Sequence, residues 1–167
     1  MVFHLIINFD KNEIDRERFD LEMKILVDVD ACPVKDIIVR IARKRDIPVT
    51  MVIDTAHVLD DDYSTVVTVD KRPDSVDFKL MGLLSAGDIV VTQDYGLAAM
   101  ALGKGAMAIN QNGLIYKNEN IDQLLTERHV SAQIRRAGGR TKGPAKRTKE
   151  ANEKFEQSFI ELIPKWN

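Results

Sequence analysis

Cysteine and long apolar runs are both scarce in this chain. Cys32 is the one cysteine among 167 residues, so no internal disulfide can form, which fits a reducing compartment. A membrane-spanning helix needs about 20 apolar residues, whereas the apolar stretch near the N-terminus, residues 2–9, is short and broken by His4 and Asn8. That stretch also lacks the basic region and the small-residue cleavage site of a secretory signal. We therefore expect a cytoplasmic protein that does not associate with membranes.

Acidic residues are missing from one C-terminal stretch, although they outnumber basic residues elsewhere. Residues 128–149, here called the basic segment, hold eight of the 24 lysines and arginines and no acid, while the whole chain carries a net charge of -2. An acidic body with a basic segment indicates a polyanionic partner such as nucleic acid. A solvated basic surface that offsets the acidic body is an equally good interpretation.

Strand and helix patterns alternate from Met23 onward. Apolar runs typical of buried strands lie at residues 25–29, 48–53, 65–69, 89–92 and, more weakly, 106–109. Helical patterns follow them at residues 34–41, 76–84, 97–102, 121–136 and 148–163. The alternation predicts a mostly parallel sheet with helices on both faces, a three-layer α/β/α sandwich. We expect one domain over residues 23–163, preceded by an extension, residues 1–22, that is either native or an artefact of start assignment.

Aspartates stand where the strands of this predicted sheet end. Asp28 and Asp30 close the first strand on one face, Asp94 follows the fourth, and Asp74 and Asp77 begin the helix after the third. Ligands of open parallel sheets bind at this edge. Clustered carboxylates repel one another, and Mg²⁺ or Mn²⁺ relieves that repulsion while accepting waters and substrate phosphates as further ligands. The pattern predicts a metal site formed by Asp28, Asp30 and Asp94 that supports phosphoester hydrolysis.

Simpler explanations exist for some of these acids. Asp74 can be a helix N-cap with Asp77 favoured by the helix dipole, and Asp94 can cap the helix that follows it. Asp54 is interpreted as part of a solvated loop. Neither a cap nor a turn explains Asp28, which ends an apolar strand and is therefore the anchor of the predicted site.

Several motifs in this chain resemble those of the YaiI/YqxD family, uncharacterised bacterial proteins with a PIN-like domain. The resemblance runs from Met23 to about residue 159 and excludes residues 1–22. The matching segments are Val-Asp-Val-Asp-Ala-Cys-Pro-Val at 27–34, Lys-Arg-Pro-Asp-Ser-Val-Asp at 71–77, Gly-Asp-Ile-Val-Val-Thr-Gln-Asp-Tyr-Gly-Leu-Ala at 87–98, Asn-Ile at 120–121, Arg128 and Thr-Lys-Gly-Pro at 141–144.

The resemblance implies a PIN-like α/β/α sandwich with a metal-dependent nuclease site. Its catalytic acids would be Asp28 with Asp30, Asp77 with Asp74, and Asp94. Two departures leave the number of metals open. Phe78 stands where the family often has a further acid, and the segment 94–96 lacks a second acid that is common in PIN-like nucleases.

Other residues are expected to bind substrate or to line the site. The basic helix and the glycine-containing loop after it offer cations and backbone N–H groups that suit phosphate contacts. The expected substrate-binding residues are Arg128, Arg135, Arg136, Arg140, Thr141, Lys142 and Gly143. Cys32, Asp74 and Thr92 are expected to line the site, and Cys32 is interpreted as a small packed residue in preference to a nucleophile.

Three functions are compatible with these patterns. The preferred one is a metal-dependent nuclease, with RNA the favoured substrate. A phosphatase of the haloacid-dehalogenase type also has an Asp-x-Asp motif, here Asp28 and Asp30, but it needs its later Gly-Asp after a strand, whereas Gly87 and Asp88 precede one. The third is a nucleic-acid-binding module without turnover. A homo-oligomer is compatible with all three.

Overall fold

A six-stranded sheet forms the centre of the computed structural model, which describes residues 23–30, 32–54, 61–141, 143 and 146–165. The strand order is β3-β2-β1-β4-β5-β6; the first five strands are parallel, and β6 runs antiparallel to β5. The strands are β1 (Ile25–Asp28), β2 (Val49–Asp54), β3 (Thr65–Val69), β4 (Ile89–Val91), β5 (Met107–Ile109) and β6 (Ile115–Tyr116).

The central strands are apolar because both of their faces are covered. In β1, Ile25 pairs with Val49 of β2 on one side and with Ile89 of β4 on the other. All three side chains are buried. A parallel strand that is covered on both faces reads as a continuous apolar run, which is why these strands could be predicted from the sequence.

Within the described part of the chain, five helices cover the sheet in two layers. The helices are α1 (Lys35–Lys44), α2 (Ser75–Leu83), α3 (Tyr95–Gly103), α4 (Asn118–Arg136) and α5 (Lys149–Leu162). On one face, buried residues of α1 and α5 share a core with Ile25 and Val27. On the other face, buried residues of α2, α3 and α4 share a core with Leu26 and Val90. The predicted three-layer α/β/α sandwich is confirmed, because alternate residues of one strand face the two helical layers.

Element boundaries agree with the patterns, with one strand not predicted. The third strand lies at Thr65–Val69, as the sequence pattern indicates, and the helices begin and end within a few residues of the predicted positions. The strand that the sequence does not predict is β6, which has two residues and follows a tight turn. In that turn Asn110 Oδ1 accepts hydrogen bonds from the backbone N–H groups of Asn112 and Leu114. A strand this short has no periodicity to detect.

The amino edge of the sheet contains a buried carboxylate. Asp88, 1% exposed, precedes β4 and accepts hydrogen bonds from the backbone N–H groups of Lys24 (3.1 Å) and Ser85 (2.8 Å). Its Oδ2 also lies 2.8 Å from Lys24 Nζ. A buried charge needs such pairing, so Asp88 ties the start of β1 to the start of β4.

Two sequence-based expectations concern parts of the chain beyond these elements. Residues 1–22, interpreted above as an extension, lie outside the described residues. Within the described ranges, no helix is long and apolar enough to cross a membrane.

Candidate functional site

An open cleft of about 580 Å³ lies at the carboxyl edge of the sheet. We call it the acidic cleft, because six carboxylates line it together with two arginines, Arg72 and Arg128. The six are Asp28, Asp30, Asp54, Asp74, Asp77 and Asp94. All five aspartates that the sequence analysis assigned to the site therefore lie around one cleft, where the carboxyl ends of parallel strands place them.

Each acid reaches the cleft from a strand end or from the start of a helix. Asp28 is the last residue of β1, and Asp30 follows in an exposed turn. Asp77 lies in the first turn of α2. Asp94 is the N-cap of α3, after β4. Because β1 and β4 are neighbours, their carboxyl ends bring Asp28 and Asp94 to the same edge, although 66 positions separate them.

Thr92 joins two of these acids. Its side chain is 2% exposed, and its Oγ1 donates a 3.0 Å hydrogen bond to Asp28 Oδ2. The same oxygen accepts a 3.0 Å hydrogen bond from the backbone N–H of Asp94. Because Thr92 uses its hydroxyl as donor and acceptor at once, it sets the orientation of the Asp28 carboxylate relative to the start of α3.

Asp94 is both a helix cap and a part of the cleft. Its Oδ1 accepts a 2.9 Å hydrogen bond from the backbone N–H of Leu97, which confirms the N-cap interpretation. Its Oδ2 accepts a 3.2 Å hydrogen bond from the guanidinium of Arg128. A Cβ at Gly96 would lie 3.0 Å from Asp94 Oδ1, so a side chain there would crowd this carboxylate. Both oxygens of Asp94 therefore have a partner within the protein.

Two carboxyl groups of the cleft, those of Asp28 and Asp77, have raised pKa values. Burial raises the pKa of Asp28 from 3.8 to about 6, with further repulsion from Asp77 and Asp30, against the hydrogen bond from Thr92. Burial also raises the pKa of Asp77, and the charges of Asp94 and Asp74 add to the effect. A cation close to these two groups would favour their charged forms.

The cleft offers carboxylate oxygens, which are the type of ligand that Mg²⁺ takes. Among the described residues, no three histidine, cysteine or acidic side chains are grouped so that they could hold a metal ion by themselves. Mg²⁺ often takes only one or two protein carboxylates and completes its shell with waters and substrate phosphates. The charge of Asp77 acts on Asp28, and Asp30 is exposed close to Asp28.

The interpretation of Asp54 as part of a solvated loop was wrong. Asp54 is the last residue of β2 and lines the acidic cleft. A signal was present in the sequence, because Asp54 directly follows a buried apolar run in the same way as Asp28. Asp74 also differs from the simple alternative: it occupies the N-cap position of α2, but its φ is 61° and its side chain makes no capping hydrogen bond.

Cys32 is packed in the hydrophobic core near the carboxyl edge of the sheet. The residue is buried, 7% exposed. Burial raises the pKa of its thiol, so the reactive thiolate is disfavoured at neutral pH. These properties support the interpretation of Cys32 as a packing residue.

Of the predicted substrate-binding residues, the structure brings Arg128 into the cleft. Arg135 lies seven residues further along α4, about 10 Å away at 1.5 Å per residue, and donates a 3.2 Å hydrogen bond to Thr141 Oγ1. Arg136, Arg140 and Gly143 are exposed. Lys142 falls outside the described residues. The basic segment therefore begins at the rim of the cleft and leads away from it.

Arg147 anchors the far end of the basic segment, a role that the sequence did not reveal. Its guanidinium donates hydrogen bonds to Asn152 Oδ1 (2.6 Å), to Asn112 Oδ1 (3.1 Å) and to the carbonyl of Gln111 (2.8 Å). These contacts fasten the start of α5 to the turn between β5 and β6. In the sequence Arg147 is one basic residue among eight, and only the fold distinguishes it from the others.

Comparisons with known proteins show which family this chain is similar to. The model of a family described as "Uncharacterized BCR, YaiI/YqxD family" matches residues 26–165. A UPF0178 protein of Ruminiclostridium cellulolyticum is 63% identical over 141 residues, covering 84% of this chain and 92% of that protein. A UPF0178 protein of Clostridium acetobutylicum is 53% identical over 143 residues, covering 84% and 97%. No solved structure matches this chain significantly.

Proposed function

The chain belongs to the YaiI/YqxD family of uncharacterised bacterial proteins, and we propose that it is a metal-dependent nuclease that cleaves RNA. The observation that carries the proposal is the set of six carboxylates that line one open cleft at the carboxyl edge of the sheet. Burial and neighbouring acids raise the pKa of Asp28 and of Asp77 in this cleft above the ordinary value of 3.8. Groups with strongly shifted pKa values in a cleft are typical of catalytic sites. A cytoplasmic location, where RNA is abundant, is part of the proposal.

Different residues of the acidic cleft would have different roles in phosphodiester cleavage. Asp28 and Asp77 would hold Mg²⁺ or Mn²⁺, which stabilises charge on a phosphoryl oxygen and lowers the pKa of water. Thr92 keeps the Asp28 carboxylate in one orientation through its 3.0 Å hydrogen bond. Asp30, exposed at the rim, and Asp54, at the end of β2, add negative charge that retains the cation.

A substrate phosphate needs positive charge at the cleft. Arg128 supplies it, because its guanidinium lines the cleft, where it forms a partly exposed ion pair with Asp94, 3.2 Å apart. Exposed pairs contribute about 0–1 kcal/mol, so a phosphate can draw Arg128 away at little cost. Arg135, Arg136 and Arg140 would contact the RNA backbone further from the cleft, with Lys142 a further candidate by its position in sequence.

The test is cleavage of single-stranded RNA by the purified protein with Mn²⁺, and its loss in Asp28→Asn. Asparagine keeps the shape of the side chain and can still accept the hydrogen bond from Thr92, so the variant should fold. Asp46→Asn is the matched control, because Asp46 is an exposed acid in the turn after α1, away from the acidic cleft. We expect a loss of at least 100-fold in rate for Asp28→Asn, about the size of one acid–base or electrostatic contribution.

Equal rates for Asp28→Asn and the wild type would reject the proposed site. Addition of EDTA should abolish cleavage by the wild type, and Mn²⁺ in excess should restore it. Activity that survives EDTA would remove the metal from the proposal and leave the carboxylates as acid–base groups.

A nucleic-acid-binding module without turnover is the second candidate. The observation that favours it is the engagement of both Asp94 oxygens, one by Leu97 and one by Arg128, which leaves this acid satisfied without a metal. Under this function the wild type binds RNA and releases it intact, with or without Mn²⁺. The cleavage experiment separates the two candidates directly.

The phosphatase alternative has less support. A haloacid-dehalogenase-type site needs its Gly-Asp acid beside the Asp-x-Asp motif, at the carboxyl edge of the sheet. Asp88 instead lies before β4, paired with Lys24 at the start of β1. The two acidic motifs are thus at opposite edges of the sheet.

A further inference from the structure

Phe78 is the most exposed of the large apolar side chains in the described part of the chain. It lies in α2, one residue after Asp77, and is 76% exposed. Its neighbour in the helix, Leu80, is fully buried in the core. A phenyl ring exposed to water can gain free energy when a ligand covers it.

The ring forms one wall of a second cleft that adjoins the first. This cleft, of about 550 Å³, we call the Phe78 cleft; its lining includes Arg72, Ser75, Phe78 and Lys79. Arg72 and Ser75 also line the acidic cleft, so the two clefts are continuous across the start of α2. A volume of this size is within the range of about 300–1,000 Å³ that small-ligand sites occupy.

The cations near the ring suit a polyanion. Lys79 and Arg72 are exposed at the cleft, which Asp70 also lines. Arg72 makes a long contact of 3.8 Å with Asp70, in which both side chains are more than three-quarters exposed. An exposed aromatic ring in a groove that also carries cations is an arrangement by which proteins bind single-stranded nucleic acid, with the bases stacking on the ring and the phosphates contacting the cations.

We propose that Phe78 is a stacking platform that holds one base of a single-stranded RNA beside the acidic cleft, with Arg72 and Lys79 contacting the adjoining phosphates. The inference rests on the proposed function, since it names the form of substrate that the same site would take. It assigns the strand a path from the Phe78 cleft, across Arg72 and Ser75, to the carboxylates and Arg128. A duplex cannot follow this path, because its bases are paired and stacked on each other.

The experiment measures binding of fluorescein-labelled 12-nucleotide RNAs by anisotropy in EDTA, so that cleavage does not interfere. The three probes are a single strand, a single strand of the same length with abasic residues, and a duplex. Phe78→Ala should weaken binding of the single strand by about 5- to 150-fold, the usual effect of removing one stacking aromatic. The abasic strand should lose less than about 2-fold, because it has no base to stack.

Two further variants make the result specific. Phe78→Trp keeps a stacking surface and should bind the single strand at least as tightly as the wild type. Met100→Ala removes another exposed apolar side chain, 48% exposed on α3 and away from both clefts, and should leave binding unchanged.

Several results would overturn the inference. They are equal binding of the single strand by Phe78→Ala and the wild type, an equal loss on the abasic strand, and no binding of the single strand by the wild type. A wild-type dimer that Phe78→Ala converts to a monomer in sedimentation would show that the ring covers a second copy of the chain instead. If the single strand stacks on Phe78 but is not cleaved with Mn²⁺, the proposed nuclease function is rejected and the stacking role stands. If Phe78→Ala cleaves RNA at the wild-type rate, the stacking role is rejected and the nuclease function stands.

Discussion

Thr92 Oγ1 donates a 3.0 Å hydrogen bond to Asp28 Oδ2. The two residues are 64 positions apart and belong to the ends of neighbouring parallel strands. The same hydroxyl also accepts a hydrogen bond from the backbone N–H of Asp94. Thr92 therefore connects Asp28 to Asp94, the residue that pairs with Arg128. The properties of the Asp28 carboxyl group are therefore the most direct way to examine this site.

The first prediction concerns the pH dependence of stability. Asp28 has a pKa of about 6 in the folded protein, above its ordinary value of 3.8, so the folded state holds this proton more tightly than the unfolded chain does. The stabilisation from protonation is complete below about pH 4 and is lost as the pH rises through about 6. Asp28→Asn cannot ionise and should exceed the wild type in free energy of unfolding at pH 8, by about 1–3 kcal/mol.

Urea unfolding at pH 8 and pH 4 measures this difference. At pH 4 the variant and the wild type should unfold at nearly the same urea concentration, since the carboxyl is then protonated in the folded wild type. A variant that is less stable than the wild type at pH 8 would contradict the raised pKa.

The second prediction concerns Thr92. Thr92→Val removes the hydroxyl whose hydrogen bond lowers the pKa of Asp28, so that pKa should rise further above 6. The backbone N–H of Asp94 also loses its acceptor, at a cost of about 1–3 kcal/mol in stability. Carboxyl-carbon NMR of Asp28 through a pH titration gives the midpoint. Thr92→Ser keeps the hydroxyl and should restore both values; an unchanged midpoint in the valine variant would disprove the link.

The third prediction concerns Arg128 as a phosphate contact. Arg128→Ala should weaken RNA binding in EDTA and reduce the slope of log affinity against log salt by about 0.7–1, the contribution of one phosphate contact. Arg40→Ala is the matched control, because Arg40 is also exposed and also holds one acid, Glu156, at 2.7 Å on another face of the protein. Identical salt slopes for the two variants would exclude Arg128 from the RNA site.

The fourth prediction concerns Asp88 at the opposite edge. Asp88→Ala leaves two backbone N–H groups and Lys24 without their acceptor, so the free energy of unfolding should fall by about 2–4 kcal/mol. The rate of RNA cleavage per folded molecule should not change, since Asp88 does not line the acidic cleft. A phosphatase of the haloacid-dehalogenase type would behave in the reverse way, losing its chemistry with this residue. Urea unfolding and the cleavage assay together decide between the two.

The layers of the fold could be predicted from the sequence because buried strands and helices have characteristic local patterns of apolar residues. Residues 25–27 are apolar on both faces of β1, and the helical repeats at Val34 and Val76 show one buried side each. It could not predict β6, whose two residues carry no period, or the strand order, which depends on contacts between distant segments. It also could not show that α1 and α5 share one face of the sheet, because both have the same kind of amphipathic pattern.

The acidic cleft also has features that the sequence alone indicates and features that only the structure shows. The sequence alone determined that Asp28 needs a special explanation, since an acid that ends a buried apolar strand must be compensated. Asp54 carries the same signal, and the structure shows that it lines the same cleft. Only the tertiary structure decided that Arg128 pairs with Asp94 and that Phe78 is exposed in an adjoining cleft. The physical reason for this difference is that the burial of a carboxylate can be inferred from the apolar residues next to it in the chain. Which charges share a cleft depends on how strands and helices that are distant in sequence pack together.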